Sequence, residues 1–154
     1  MVAEGKTNSQ LLKRVDEIYK WLDLQISNNS DLAGTCSACG KCCDFAQVDH
    51  RLFVTTPELM YLTANLGAEN IQPMTTSSGS TSLTTGCPYN VGGRCTIYEH
   101  RFAGCRIFCC KAGADFQSRL SESALKKFKL LCTRFQIPYR YSDLASALNG
   151  FVAV

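Results

Sequence analysis

The sequence predicts a mainly α fold: a single small domain of about four helices, two irregular cysteine-rich loops, and at most short strands. Two observations predict it. Apolar residues recur at helical spacing in three stretches of the 154-residue chain, while no stretch alternates long enough for a sheet. Nine of the ten cysteines fall in two segments that lack either periodicity. A chain of this length is one domain by the usual size range, read here as an N-terminal helix over 1–29, a cysteine-rich core over 30–112 and C-terminal helices over 113–154.

The first helix is expected at 8–27. Thr7 and Gln10 have the spacing of a capping box. Behind them Leu12, Val15, Tyr19, Leu22 and Ile26 form an apolar stripe that Leu11 and Ile18 widen. The stripe is core, being too short for a coiled coil. Asp16 and Lys20 stand at i,i+4 on the other side, and Asn28-Asn29 closes the helix. Leu52, Phe53 and Val54 read as a short strand. Thr56-Pro57-Glu58 announces a second helix, with Pro in the first turn and an acid beside the positive end of the dipole. Leu59, Leu62 and Leu66 form its inner face, and Gly67 ends it.

From Pro73 to Gly86 the chain is rich in Thr, Ser and Gly, the composition of an exposed loop or short hairpin. Cys87 to Cys110 has few helix formers in register, a turn at Asn90–Gly93 and a strand-like patch at Thr96–Tyr98. The longest helical pattern follows, over 121–136. It carries Ala124, Leu125, Phe128, Leu131, Cys132 and Phe135 on one face and stops near Pro138. A last short helix, Ser142 to Leu148, closes at Asn149-Gly150, and no internal repeat is present.

Composition narrows the function classes. Hydrophobic residues make up 45% and charged residues 19%, which is globular rather than disordered. A formal net charge of +3, spread along the chain, predicts neither a nucleic-acid partner nor an anionic membrane; any other partner is unknown. MVAEGKTNSQ is polar, and no apolar run approaches the ~18 residues that span a bilayer, so the expected location is the cytoplasm. In that reducing compartment ten cysteines point to metal binding or redox chemistry rather than disulfides. The adjacent pairs Cys42-Cys43 and Cys109-Cys110 point the same way, since neither pair can bridge itself without strain. There is no GxSxG, P-loop, GxGxxG or HExxH motif.

Cys132 is set aside as a small buried hydrophobe of its helix face. The other cysteines carry the chemistry. CSACGKCC at 36–43 spaces Cys36 and Cys39 as a metal turn, with Gly40 free to aim backbone N–H groups at the thiolates. As a zinc half-site it needs partners from Cys87, Cys95, Cys105, Cys109 and Cys110. As an iron–sulfur site, Cys36, Cys39 and Cys42 have the C-x2-C-x2-C spacing of bacterial ferredoxins, and Cys87-Pro88 supplies a distant fourth ligand. Neighbouring side chains diverge, so Cys42 and Cys43 should serve different metal atoms, or one should face away. His50 and His100 each stand beside charged residues and read first as surface histidines, although His100 lies between Cys95 and Cys105. Arg101 and Arg106 could balance thiolate charge or be ordinary surface charge.

Taken together, CxxCGxCC at 36–43, CPY at 87–89 and CTIYEHRFAGCRIF at 95–108 resemble the YkgJ-type cysteine-cluster family, described as zinc- or iron-chelating. The resemblance covers about residues 30–112 and implies metal chelation. It places Cys36, Cys39, Cys42 and Cys43 on the first motif. Cys87, Cys95 and Cys105 fall on the later ones, with Tyr98, Glu99, Arg101 and Arg106 flanking. Cys110 resembles an extra cysteine of a subset of the family, whereas Cys109 and Cys132 have no counterpart. Phe102 stands where the family usually has proline, which should loosen the turn before Cys105, and His100 falls on a variable position. The ligand set implied is Cys36, Cys39, Cys42, Cys43, Cys87, Cys95, Cys105 and Cys110, with zinc or iron as cofactor, an iron–sulfur cluster being one form of the latter. A related cysteine motif occurs in flagellin lysine methylases. The competing readings are therefore a cluster-dependent enzyme (a redox protein or a lysine-methylase-like one) and a zinc-stabilised interaction module; whether the chain is an enzyme stays open.

Overall fold

The structure, a computed structural model, describes residues 2–28, 52–72, 87–92, 94–107 and 113–152. It is mainly helical, as expected. The described residues form helices α1 (Val2–Ser27), α2 (Thr56–Leu66), α3 (Ala103–Ile107), α4 (Ala114–Arg134) and α5 (Leu144–Val152). Short 3-10 turns stand at Ala68–Asn70 and Tyr98–His100. Two antiparallel strand pairs complete it: β1 (Phe53–Thr55) with β4 (Tyr141–Asp143), and β2 (Asn90–Val91) with β3 (Arg94–Cys95). None of the described helices is long and apolar enough to cross a membrane.

The α1 stripe is buried as its spacing demands. Leu11, Val15 and Leu22 are fully enclosed, with Ile18 and Tyr19 beside them. Burying those three leucine and valine side chains contributes roughly 5–9 kcal/mol before entropy is counted. The Asp16–Lys20 pair forms at 2.7 Å. The helix begins earlier than the capping signal at Thr7, since nothing from Val2 to Thr7 forbids helix; Gly5 alone costs about 1 kcal/mol. It packs with Leu120, Ala124, Phe128 and Leu131 of α4 and with Tyr61, Ala103 and Ile107 to make a first core.

A second core gathers Leu52, Val54, Leu62, Ile71, Tyr89, Ile97, Phe102, Leu144, Ala147 and Leu148. Helix α2 serves both, placing Tyr61 in the first and Leu62 in the second. The helix starts at Thr56, as the Thr56-Pro57-Glu58 signal predicts; the N-cap is the preceding Thr55, and Gly67 at φ 88° ends the helix with its N–H on the Thr63 carbonyl.

Three expectations are corrected. Helix α4 starts at Ala114 rather than behind Ser121, because Phe116 and Leu120 extend its apolar face toward the N-terminus. Ser142 and Asp143 belong to β4, not to a helix: the register Phe53↔Asp143, Val54↔Ser142, Thr55↔Tyr141 takes them into a strand, and α5 runs from Leu144 past Asn149-Gly150. The strand-like patch at Thr96–Tyr98 is instead turn leading into a 3-10 turn, the strand being Arg94–Cys95.

Helix α4 ends in a Schellman motif. Ile137 N–H bonds the Cys132 carbonyl at 2.8 Å and Gln136 N–H the Thr133 carbonyl at 3.3 Å, with Gln136 at φ 55°. A side chain there is strained, so Gln136→Gly should raise stability by about 0.5–1 kcal/mol, readable as a higher urea midpoint with unchanged slope.

Candidate metal centre

The segment from Cys87 to Ile107 is built from local turns. Pro88 sets φ for a turn in which Asn90 N–H bonds the Cys87 carbonyl at 3.0 Å. The chain reverses between Val91 and Arg94, where Gly92 supplies φ 60°, and this pairs Asn90 with Cys95. Thr96 closes the hairpin, its N–H and hydroxyl bonding the Tyr89 carbonyl at 2.8 and 3.0 Å. Tyr89 points into the second core while its hydroxyl accepts the Gln72 N–H at 3.1 Å. Cys87 and Cys95 are thereby held at the two sides of one small hairpin.

Cys105 arrives from a different element, α3. Phe102, buried in the second core, precedes it, so the residue that replaces proline anchors this turn instead of loosening it. Gly104 lets α3 approach Leu52 closely; a Cβ there would collide with Leu52 Cδ1. Glu58, only 2% exposed, receives the Ala103 N–H on Oε1 at 2.6 Å. Its Oε2 accepts the Thr55 N–H at 2.8 Å and hydroxyl at 2.9 Å. Burial pushes the Glu58 carboxyl up, against the downward pull of these donors.

Arg106 is not a surface charge. At 7% exposure, its guanidinium bonds the carbonyls of Arg101 and Glu99, both at 3.0 Å, and Asp23 Oδ2 at 2.6 Å, while lying 4.3 Å over the Tyr19 ring. Arg101 stacks 3.8 Å over Tyr98, and its charge favours the Cys105 thiolate.

Cys87, Cys95 and Cys105 all pack, half-buried, against the second core. Cys87 and Cys95 each stand within electrostatic reach of Cys105. Burial pushes the Cys105 thiol far up, the charge of Cys87 adds to this, Arg101 opposes it, and Cys95 and Glu58 push further up. Among the described residues no three His, Cys, Asp or Glu side chains are grouped closely enough to hold a metal ion by themselves. Cys36, Cys39, Cys42, Cys43, Cys109, Cys110 and His50 lie outside the described residues. The donor chemistry of the three described cysteines suits a cation: negative charge on Cys87 and Cys95 disfavours the Cys105 thiolate, and a bound divalent ion would reverse that penalty.

His100 is half-buried, and among the described residues it joins no group of three donors that could hold a metal ion. Its ring meets Tyr61 edge-on at 5.8 Å, and its buried Nδ1 has no hydrogen-bond partner among the described residues. Cys132 is 2% exposed on α4, the core position its spacing assigns. Sequence reasoning missed the reach of Glu58 and the Asp23–Arg106 pair. For Glu58 a signal existed: it stands four residues before Leu62, on the side of α2 that faces inward. For Asp23 and Arg106, 83 residues apart, there was none.

No curated protein and no solved structure matches the chain. A family model does match, over residues 35–133, and its description is "Putative zinc- or iron-chelating domain". That span takes in the 36–43 cysteines, the hairpin, α3 and most of α4, including every residue just described between Glu58 and Arg106. The chain belongs to the CxxCxxCC family of zinc- or iron-chelating domains.

Proposed function

We propose that the protein holds zinc or iron through cysteine thiolates, with Cys36, Cys39, Cys42 and Cys43 supplied by one segment and Cys87, Cys95, Cys105 and Cys110 by the other. The observation that carries the reading is the convergence of Cys87, Cys95 and Cys105, from a turn, a strand and a helix, on one core within electrostatic reach. Thiols bind metal as thiolates, so the ion must displace their protons. A thiol whose affinity for its proton is raised binds metal more tightly as pH rises, and uptake releases protons. Bound there, the ion would supply the positive charge that the sulfurs lack and tie the hairpin and α3 to the first cysteine segment. The cavity of about 100 Å³ beside Glu58, Gly104 and Tyr141 is well below the roughly 300 Å³ of a small-molecule site, so no substrate is assigned to it.

Metal analysis of protein purified without oxygen tests this. Stoichiometric zinc in a colourless protein, or iron with sulfide in a brown one, supports thiolate ligation and chooses between the metals; a folded protein that takes up neither metal refutes it. Cys36→Ser and Cys105→Ser should each lower metal content. Cys132→Ser should leave it unchanged and cost about 1–3 kcal/mol, because a hydroxyl is buried where the thiol packed.

A further inference from the structure

We infer that Glu58 is a positioning residue of the metal centre: its buried carboxylate, anchored by Thr55, holds the main chain at Ala103 and so sets where the Cys105 sulfur stands. The inference rests on the reading of Cys105 as a ligand.

The two carboxylate oxygens divide the task. Oε2 takes both donors of Thr55, at 2.8 and 2.9 Å, which ties the side chain to the start of its own helix. Capping α2 needs nothing more. Oε1 instead faces away from α2, accepting the Ala103 N–H at 2.6 Å and, more loosely, the Tyr19 hydroxyl at 3.4 Å. Ala103 stands two residues before Cys105 and opens a helix of five residues. Such a helix is too short to hold its own orientation, and its first N–H groups have no carbonyl within it. Its direction must come from outside. Phe102 and Gly104 supply side-chain packing, whereas Glu58 grips the backbone from another helix, with the side chain already fixed at both oxygens. A rotation of α3 about this point would move Cys105 relative to Cys87 and Cys95.

Cobalt(II), which takes the place of zinc or iron at thiolate sites and whose absorption reports coordination geometry, is the probe. The full chain is stripped with a chelator under anaerobic conditions and titrated with cobalt(II) against a competing chelator. Glu58→Gln keeps the shape but turns an N–H2 toward donors that need an acceptor. It should weaken cobalt binding about 10- to 100-fold, the range for partners that orient a ligand, and shift the visible bands at saturation. Phe128→Ala, a cavity in the first core that removes none of the donors to Glu58, should leave the bands in place although it destabilises the fold. Wild-type bands and affinity in Glu58→Gln, or an equal shift in Phe128→Ala, would overturn the inference while leaving the thiolate reading standing. A wild-type protein that takes up no cobalt removes the ligand reading and this inference with it. Should Glu58→Gln fail to fold, Thr55→Val decides: it keeps the carboxylate and deletes one anchor, so shifted bands support the role and unchanged bands defeat it.

Discussion

Stripping the metal should destabilise the protein in one region and spare another. The Cys87–Ile107 segment consists of two-residue strands, a 3-10 turn and a five-residue helix, none of which persists alone in water. Its apolar anchors are Tyr89, Ile97 and Phe102 in the second core, with Ala103 and Ile107 in the first. Helices α1 and α4, by contrast, bury Leu11, Val15, Leu22, Phe128 and Leu131 against each other and α2 without any cysteine ligand. An ion at a thousandfold excess over its dissociation constant stabilises the folded state by about 4 kcal/mol, so removing it should lower Tm visibly. In hydrogen exchange, amides of 87–107 should lose protection by orders of magnitude while those of α1 and α4 keep theirs. Far-UV circular dichroism should change little, since most helix lies outside the segment. Complete loss of helix would make the metal the folding nucleus of the entire chain; identical exchange with and without chelator would deny that it supports the 87–107 segment.

What could be read in advance divides by range. The long helices were legible because their periodicity is a local property: Val15, Tyr19 and Leu22, or Ala124, Phe128 and Leu131, declare a buried face without reference to anything distant. The ends of α2 were legible too, since Pro57, Glu58 and Gly67 each act within one turn. The starts of α1 and α4 were not, because a helix continues past a capping signal when nothing opposes it. Strand β4 was misread since Tyr141–Asp143 has no alternation long enough to announce itself, and it is a strand only through pairing with Phe53–Thr55. Helix α3 escaped notice for a similar reason: AGCRI spans barely more than one turn. At the candidate site, residue types and spacing nominated Cys87, Cys95 and Cys105. Their approach to one another depends on Tyr89, Ile97 and Phe102 meeting in one core, a long-range event with no local trace. The same holds for Glu58, whose bond to Ala103 joins residues 45 apart.

Arg106→Leu should cost about 3 kcal/mol, and the partition of that cost is informative. The ion pair with Asp23 is short, 2.6 Å, yet Asp23 is half exposed, so solvent screens it and its share stays below about 1 kcal/mol. The larger share comes from the carbonyl bonds within the turn, with the Tyr19 stack beside them. Leucine leaves the Arg101 and Glu99 carbonyls without their guanidinium donors, at about 1 kcal/mol or more each, and removes the stack on Tyr19, worth about 0.5–2 kcal/mol in a dry setting. In a chain of this size 3 kcal/mol corresponds to roughly 6–12 °C in Tm. Asp23→Asn should therefore cost less than 1 kcal/mol, and Arg106→Lys nearly as much as leucine, because an ammonium cannot serve two carbonyls and a carboxylate in one plane. If Asp23→Asn in urea unfolding cost as much as Arg106→Leu, the ion pair would be the tie and the carbonyl bonds incidental. The distinction matters for the centre. The carbonyl bonds close the 99–106 turn on itself, whereas the Asp23 pair fastens that turn to α1. A dominant carbonyl share means that the turn before Cys105 is shaped from within and only then docked against α1, so Arg106→Leu should lower metal content as well as Tm, while Asp23→Asn should spare both.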